Sequence, residues 1–144
     1  MVESVALVTG ASSGIGRATA LRLAKDFPRI ALVARDGEKL RQVATKIEAD
    51  GGKALTIEVD LGNPTAAQAV IERTLAAFAR IDALLNIAGA VPGLDVFQMT
   101  DEQWDSGMAL KFHAARRPLA DRLRAAHGRW RGQVALSSNL ANSC

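Results

Sequence analysis

Short apolar runs alternate with amphipathic stretches along this chain. Val5-Ala6-Leu7-Val8 is the first run and predicts a buried strand. A turn follows, and Arg17 to Ala24 reads as a helix that Phe27-Pro28 breaks. Ile30-Ala31-Leu32-Val33 is the second buried run. Asp36 is placed to cap a helix whose Leu40, Val43, Ala44 and Ile47 recur on one face, and Gly51-Gly52 ends it. Ala54 to Val59 predicts a third strand, closing at Asp60. Gly62-Asn63-Pro64 opens the next helix, with proline near the first turn, where a missing N–H costs nothing. Val70, Ile71, Leu75 and Phe78 form its apolar face. Ile81 to Ile87 predicts a fourth strand that runs into Ala88-Gly89 and a glycine- and proline-containing loop. Thr100 is the expected cap of a longer helix over 101–127, with Trp104, Met108, Phe112, Ala115, Leu119, Leu123 and Ala126 in one stripe. Pro118 interrupts that stripe, since an interior proline costs about 3 kcal/mol. Gln133 to Leu136 predicts a fifth strand, leading to Ser137-Ser138.

Strands and helices in strict alternation, with strands apolar throughout, imply an α/β fold: a parallel sheet covered on both faces. Right-handed crossovers reduce the choices to a doubly wound sheet. The expected strand order is 3-2-1-4-5, in a single domain over residues 1–144. A ligand belongs at the carboxyl ends of strands 1 and 4, where the winding reverses.

The turn after the first strand fits such a ligand. Thr9-Gly10-Ala11-Ser12-Ser13-Gly14-Ile15-Gly16 joins a strand directly to a helix. That arrangement points unpaired backbone N–H groups at an anion. The three glycines allow a sharp turn and close approach of the ligand. Ser12 and Ser13 add hydroxyl donors, and the pyrophosphate of a dinucleotide is the natural occupant. An acidic residue after the second strand would pair with a ribose 2′-hydroxyl and favour NAD. This chain has Ala34-Arg35 there. A guanidinium can grip a 2′-phosphate with paired charged hydrogen bonds, so NADP is the expected cofactor, ahead of NAD. The plainer alternative for Arg35 is a surface charge beside a helix. Asp60, followed by Leu61, ends the third strand beside the expected adenine pocket, where its carboxylate either accepts from the adenine amino group or caps the next turn. Asn86, Ala88 and Gly89 end the fourth strand across the switch point, where small residues let a ribose lie against the backbone.

Composition narrows the setting. No apolar stretch reaches the about 20 residues needed to cross a bilayer, and the N-terminus lacks the look of a secretory signal. The one cysteine, Cys144, fits a reducing cytoplasm. His113 and His127 have no partners at ligand spacing, so no metal is expected. The net charge of +3 gathers late, at Lys111, Arg116, Arg117, Arg122, Arg124, Arg129 and Arg131. No aromatics interleave with these residues for base stacking, so a solvated helix face is the better reading than a nucleic-acid patch.

Thr9-Gly10-x-x-x-Gly14-x-Gly16, Asp60 after the third strand and Asn86-x-Ala88-Gly89 after the fourth resemble the short-chain dehydrogenases/reductases. The likeness extends over essentially the whole chain, at least to Ser138. It implies a Rossmann-type sheet, usually of seven strands, and hydride transfer between NAD(P)(H) and an alcohol or carbonyl substrate. It also implies frequent dimers or tetramers, which the helix over 101–127 could support, and Val33-Ala34-Arg35 is similar to the NADP-preferring members. Ser138 matches the family's catalytic serine. Lys111 stands where the family has a proton-relay asparagine, and it either replaces part of that relay or snorkels to solvent. Ile87 replaces the second asparagine of the fourth-strand motif. The family's general acid/base is a tyrosine in a Tyr-x-x-x-Lys motif, and this chain has no tyrosine. The expectation is a C-terminally truncated member that lacks the family's last strands and helices. It keeps the nucleotide site without completing the reaction, or serves as a nucleotide-binding or subunit-association module.

Overall fold

The computed structural model describes residues 3–89, 100–108 and 133–136. Its elements are β1 (Val5–Thr9), α1 (Gly14–Leu23), β2 (Arg29–Ala34), α2 (Gly37–Ala49), β3 (Lys53–Glu58), α3 (Ala66–Phe78), β4 (Ala83–Asn86), α4 (Asp101–Met108) and β5 (Gln133–Leu136). The strands form one parallel sheet in the order β3-β2-β1-β4-β5, as the alternating pattern predicts. The switch point falls between β1 and β4, because the chain steps outward to β2 and β3 before returning across β1.

Side chains of a strand point alternately to the two faces, so a doubly covered sheet needs apolar residues at consecutive positions. Ala6 and Val8 join Ile30, Leu32, Leu40, Val43 and Ile47 in a core under α1 and α2. Leu7 joins Ala31, Val33, Ile57, Val70 and Ile71 in a second core under α3. Burying one such side chain contributes roughly 1.5–3 kcal/mol, so these two cores are the principal attraction holding the layers.

Element ends differ from the sequence expectation in ways with local causes. The α1 helix begins at Gly14, within the glycine turn, and closes at Leu23, before Phe27-Pro28. Pro64 lies ahead of α3 rather than in its first turn: Thr65 is the N-cap, and an Asn63-centred turn precedes it, with Ala66 N donating to Asn63 O. β3 runs from Lys53 to Glu58, one residue earlier than the apolar run suggests, because Lys53 N already bonds Pro28 O. β4 is shorter than the predicted Ile81–Ile87. At its head, the Asp82 N–H donates to Val5 O (2.8 Å), while the Asp82 carboxylate accepts from the Val5 N–H (2.8 Å) and from Arg80. Of the predicted α3 face, Val70 and Ile71 are buried, while Leu75 and Phe78 are half-buried.

Caps follow the sequence closely. Asp36 caps α2 by accepting from Lys39 N at 3.1 Å. Thr100 and Gln103 cap α4 reciprocally, each backbone N–H donating to the other's side chain. The stripe over 101–127 is described only to Met108, and its remainder, with Pro118, lies outside the described residues.

Candidate functional site

A cavity of about 640 Å³ opens at the carboxyl ends of β1, β2, β3 and β4. The glycine turn supplies one wall through Gly10, Ser12, Ser13, Gly14, Ile15 and Gly16. The residues after β2 add Ala34, Arg35, Asp36 and Lys39. Val59, Asp60 and Leu61 after β3, and Ile87, Ala88 and Gly89 after β4, complete it. The sheet thus gathers residues separated by up to about eighty positions in sequence around one opening, at the place where such folds take ligands.

Close approach dictates the glycines. A Cβ on Gly16 would lie 1.9 Å from Gly10 O, so α1 sits against the turn at a distance only glycine permits. Gly10 has φ +70°, and a Cβ there would lie 2.9 Å from Ala88 N, at the end of β4. The turn therefore packs against both its own helix and the neighbouring strand's exit. Ala11 N bonds Val33 O at 3.2 Å, tying the same turn to β2. Ser13 occupies the N-cap of α1 in extended conformation without a side-chain capping bond, and no acidic residue lies in the first turn. The positive end of that helix therefore carries no capping side chain and no acidic residue in its own first turn.

Thr9 and Asn86 act one layer behind the cavity, which neither of them lines. The buried Thr9 hydroxyl donates to Asn86 Oδ1 at 2.8 Å and accepts from Ile87 N at 3.0 Å and Ala88 N at 3.1 Å. One hydroxyl thereby holds together the two strands that flank the switch point. Both residues were expected at the ligand; in the structure their side chains bond each other, and Thr9 also holds the two amides that follow β4. Ile87, which stands in place of a second asparagine, makes one of these bonds through its backbone. Its apolar side chain packs into the core under α1 and α2.

Arg35 is exposed at the rim, directly after β2. Arg17, on α1, does not line the cavity. Asp60 lines it and also accepts from Gly62 N at 2.9 Å, so the turn-capping bond is made. Asp36 and Lys39 were not singled out as site residues from sequence. The signal was present in Arg35-x-x-x-Lys39, which brings two cations to the head of one helix. Asp36 Oδ2 lies 3.2 Å from Lys39 Nζ. The Asp36 carboxyl is held below its ordinary range, first by the Lys39 backbone N–H and then by the Lys39 side chain. Ile15, about half exposed, is the large apolar side chain at the opening. Lys111 and Ser138 lie outside the described residues, as do the late arginines. Among the described residues no group of three or more His, Cys, Asp or Glu could hold a metal ion, and no helix is long and apolar enough to cross a membrane.

The short chain dehydrogenase family model matches residues 4–142. This chain belongs to the short chain dehydrogenase family. Among curated relatives, (2S)-[(R)-hydroxy(phenyl)methyl]succinyl-CoA dehydrogenase subunit BbsD of Thauera aromatica is 36% identical over 101 residues. Those residues are 70% of this chain and 41% of that relative. The chain thus spans less than half the length of the curated relatives it matches. Among solved structures, L-sorbose reductase from Gluconobacter frateurii, complexed with NADPH and L-sorbose, is 33% identical with a TM-score of 0.74. The match covers 87% of this chain and 46% of that one. A metagenomic short-chain oxidoreductase in complex with NADP is 40% identical with a TM-score of 0.72, covering 85% and 54%. A third, from Burkholderia phymatum in complex with NAD, is 26% identical with a TM-score of 0.73, covering 85% and 43%. These short-chain dehydrogenase neighbours include both NADP and NAD complexes.

Proposed function

We propose that this chain is a single NADP(H)-binding domain of an oxidoreductase whose reaction moves hydride between NADP(H) and an alcohol or carbonyl substrate. The observation that carries the reading is the shared cavity, which the glycine turn and Arg35 both line. Amides at the head of α1 bind the pyrophosphate, helped by Ser12 and Ser13. Gly14, Ile15 and Gly16 form the floor. Asp60 and Leu61 border the adenine, and Ala88 and Gly89 border the ribose on the far side of the switch point. Arg35 pairs with the 2′-phosphate, and no carboxylate stands in its place to prefer a 2′-hydroxyl. Two of the similar solved structures hold the phosphorylated cofactor, which supports the same choice.

Hydride chemistry belongs to the nicotinamide when bound; the protein contributes position and proton handling. Ser138 is the proposed group that polarises the substrate oxygen, and Lys111 a proposed relay residue. The 144-residue chain contains no tyrosine to serve as the family's general acid/base. Loss of such help costs roughly 10²–10⁴-fold in rate. By itself, then, this polypeptide is expected to bind NADPH and not to complete the reaction; a nucleotide-binding or subunit-association module is the alternative reading. A reducing cytoplasm suits its one cysteine.

Fluorescence titration with NADPH and NADH tests the binding half of the reading. Tighter binding of NADPH supports it, and equal affinity for both refutes the role of Arg35. NADPH oxidation against a panel of carbonyl compounds tests the catalytic half; robust turnover by the purified 144-residue polypeptide would overturn it.

A further inference from the structure

Asp36 and Lys39 line the cavity beside Arg35 and have no part in the reading above. Their geometry couples them. Asp36 Oδ1 accepts from the Lys39 backbone N–H at 3.1 Å, and Oδ2 lies 3.2 Å from Lys39 Nζ. One carboxylate therefore caps α2 and also holds an ammonium at the rim of the cavity. We propose that Lys39 is a second cation for the 2′-phosphate and that Asp36 competes with that phosphate for it, setting how strongly the chain prefers NADP over NAD. This rests on the reading of the cavity as an NADP site.

A phosphate monoester carries about −1.5 to −2 charges at neutral pH, more than Arg35 alone can match. Lys39, in the first turn of α2, lines the same cavity as Arg35. Its bond to Asp36 is a weak rival, because both side chains are about half exposed and such pairs contribute little. A dianionic phosphate held by Arg35 can draw the ammonium away. Asp36 is charged throughout the neutral range, its carboxyl lying below the ordinary value, and it opposes the exchange by both attraction to Lys39 and repulsion of the phosphate. Among the described residues, Arg35 and Lys39 are the cations that line the cavity, with Asp36 and Asp60 as its carboxylates. Arg41 pairs with Glu38 at 2.9 Å, and Glu58 lies behind the helix head, where a Cβ on Gly37 would meet its Oε2 at 2.0 Å. None of Glu38, Arg41 and Glu58 lines the cavity. A 2′-hydroxyl carries no charge to compete, so NADH binding leaves the Asp36–Lys39 pair in place.

The test is a titration of the wild-type chain, Arg35→Ala, Lys39→Met, Lys39→Gln, Asp36→Asn and the Asp36→Asn/Lys39→Met pair with NADPH and NADH. Lys39→Met and Lys39→Gln are expected to weaken NADPH about three- to tenfold and leave NADH unchanged. Asparagine caps helices as well as aspartate, so Asp36→Asn keeps α2 and strengthens NADPH binding about two- to fivefold. That gain shrinks when Lys39 is already methionine. An equal gain in both backgrounds would show that Asp36 acts through its own charge alone and overturn the competition. An unchanged NADPH-to-NADH ratio in both Lys39 variants, with Arg35→Ala still abolishing the preference, overturns the inference and leaves the NADP reading standing. No preference in the wild-type chain overturns the reading, and the inference with it.

Discussion

Gly14 and Gly16 are two residues apart and face different constraints. Gly16 is fixed by space: an added Cβ would meet Gly10 O at 1.9 Å. Gly14 is fixed by conformation: φ is +52° and nothing lies within 4 Å of the added atom. Gly14→Ala is expected to cost about 1–2 kcal/mol, the left-handed penalty, and to leave a cooperative melt. Gly16→Ala is expected to cost about 3 kcal/mol or more, because the obstacle is backbone that cannot swing aside. Thermal denaturation of the two variants checks the order; equal losses would mean that α1 lifts from the turn without difficulty. Arg35→Ala is expected to weaken NADPH about tenfold and spare NADH, as read by titration. Thr9→Val keeps shape but removes the hydroxyl shared by Asn86, Ile87 and Ala88, and a loss of about 2–3 kcal/mol is expected, with Thr9→Ser restoring most of it. The glycines were legible in sequence because a sharp turn between strand and helix admits few other residues, and the cavity-lining place of Arg35 was legible from its position directly after β2. The bond between Thr9 and Asn86 was not legible. Their bond joins residues 77 positions apart, and no local pattern records such a pairing.

At the scale of elements, apolar runs and caps located every described strand and helix, and their ends were less well marked. Ends depend on where the last hydrogen bond closes. At Asp82, for instance, the backbone N–H still bonds Val5 O at 2.8 Å, but the Val5 N–H goes to the Asp82 carboxylate, and the regular ladder of β4 begins at Ala83. The end of α3 gives a direct test. Ala79 closes it in left-handed conformation, φ 62°, with its N–H on Leu75 O at 2.8 Å. Ala79→Gly is expected to stabilise the chain by about 0.5–1 kcal/mol, the relief of the left-handed strain outweighing the extra freedom of unfolded glycine. A lowered Tm would contradict that. The start of α2 depends on pH in a known sense. Asp36 has its carboxyl lowered from 3.8 in the folded chain, so its cap is fully in place above that value and lost as the pH falls through the lower folded one. Exchange at the Lys39 amide should therefore rise only in acid below about pH 4, and Asp36→Asn should abolish that dependence.

For the whole molecule, the parallel sheet and its two apolar cores follow from consecutive apolar positions in β1 and β2, which leave no face for solvent. The position of the cavity follows from the strand order. Its detailed lining does not, because Lys39 and Val59 reach it only after α2 and β3 have docked. β5 pairs with β4 alone among the described strands, and an edge strand with nothing against its outer side invites pairing with another chain. The isolated polypeptide is expected to self-associate, as size-exclusion chromatography across a concentration series would register; a strictly monomeric species would show that the edge is protected. The Thr9 hydroxyl has one more consequence. The amides of Ile87 and Ala88 lie past the last ladder pair of β4, where hydrogen exchange ordinarily runs ahead of the sheet. Because a buried side chain from the central strand holds both, they should exchange no faster than β1 itself, and Thr9→Val should release these two amides well before the rest of the sheet.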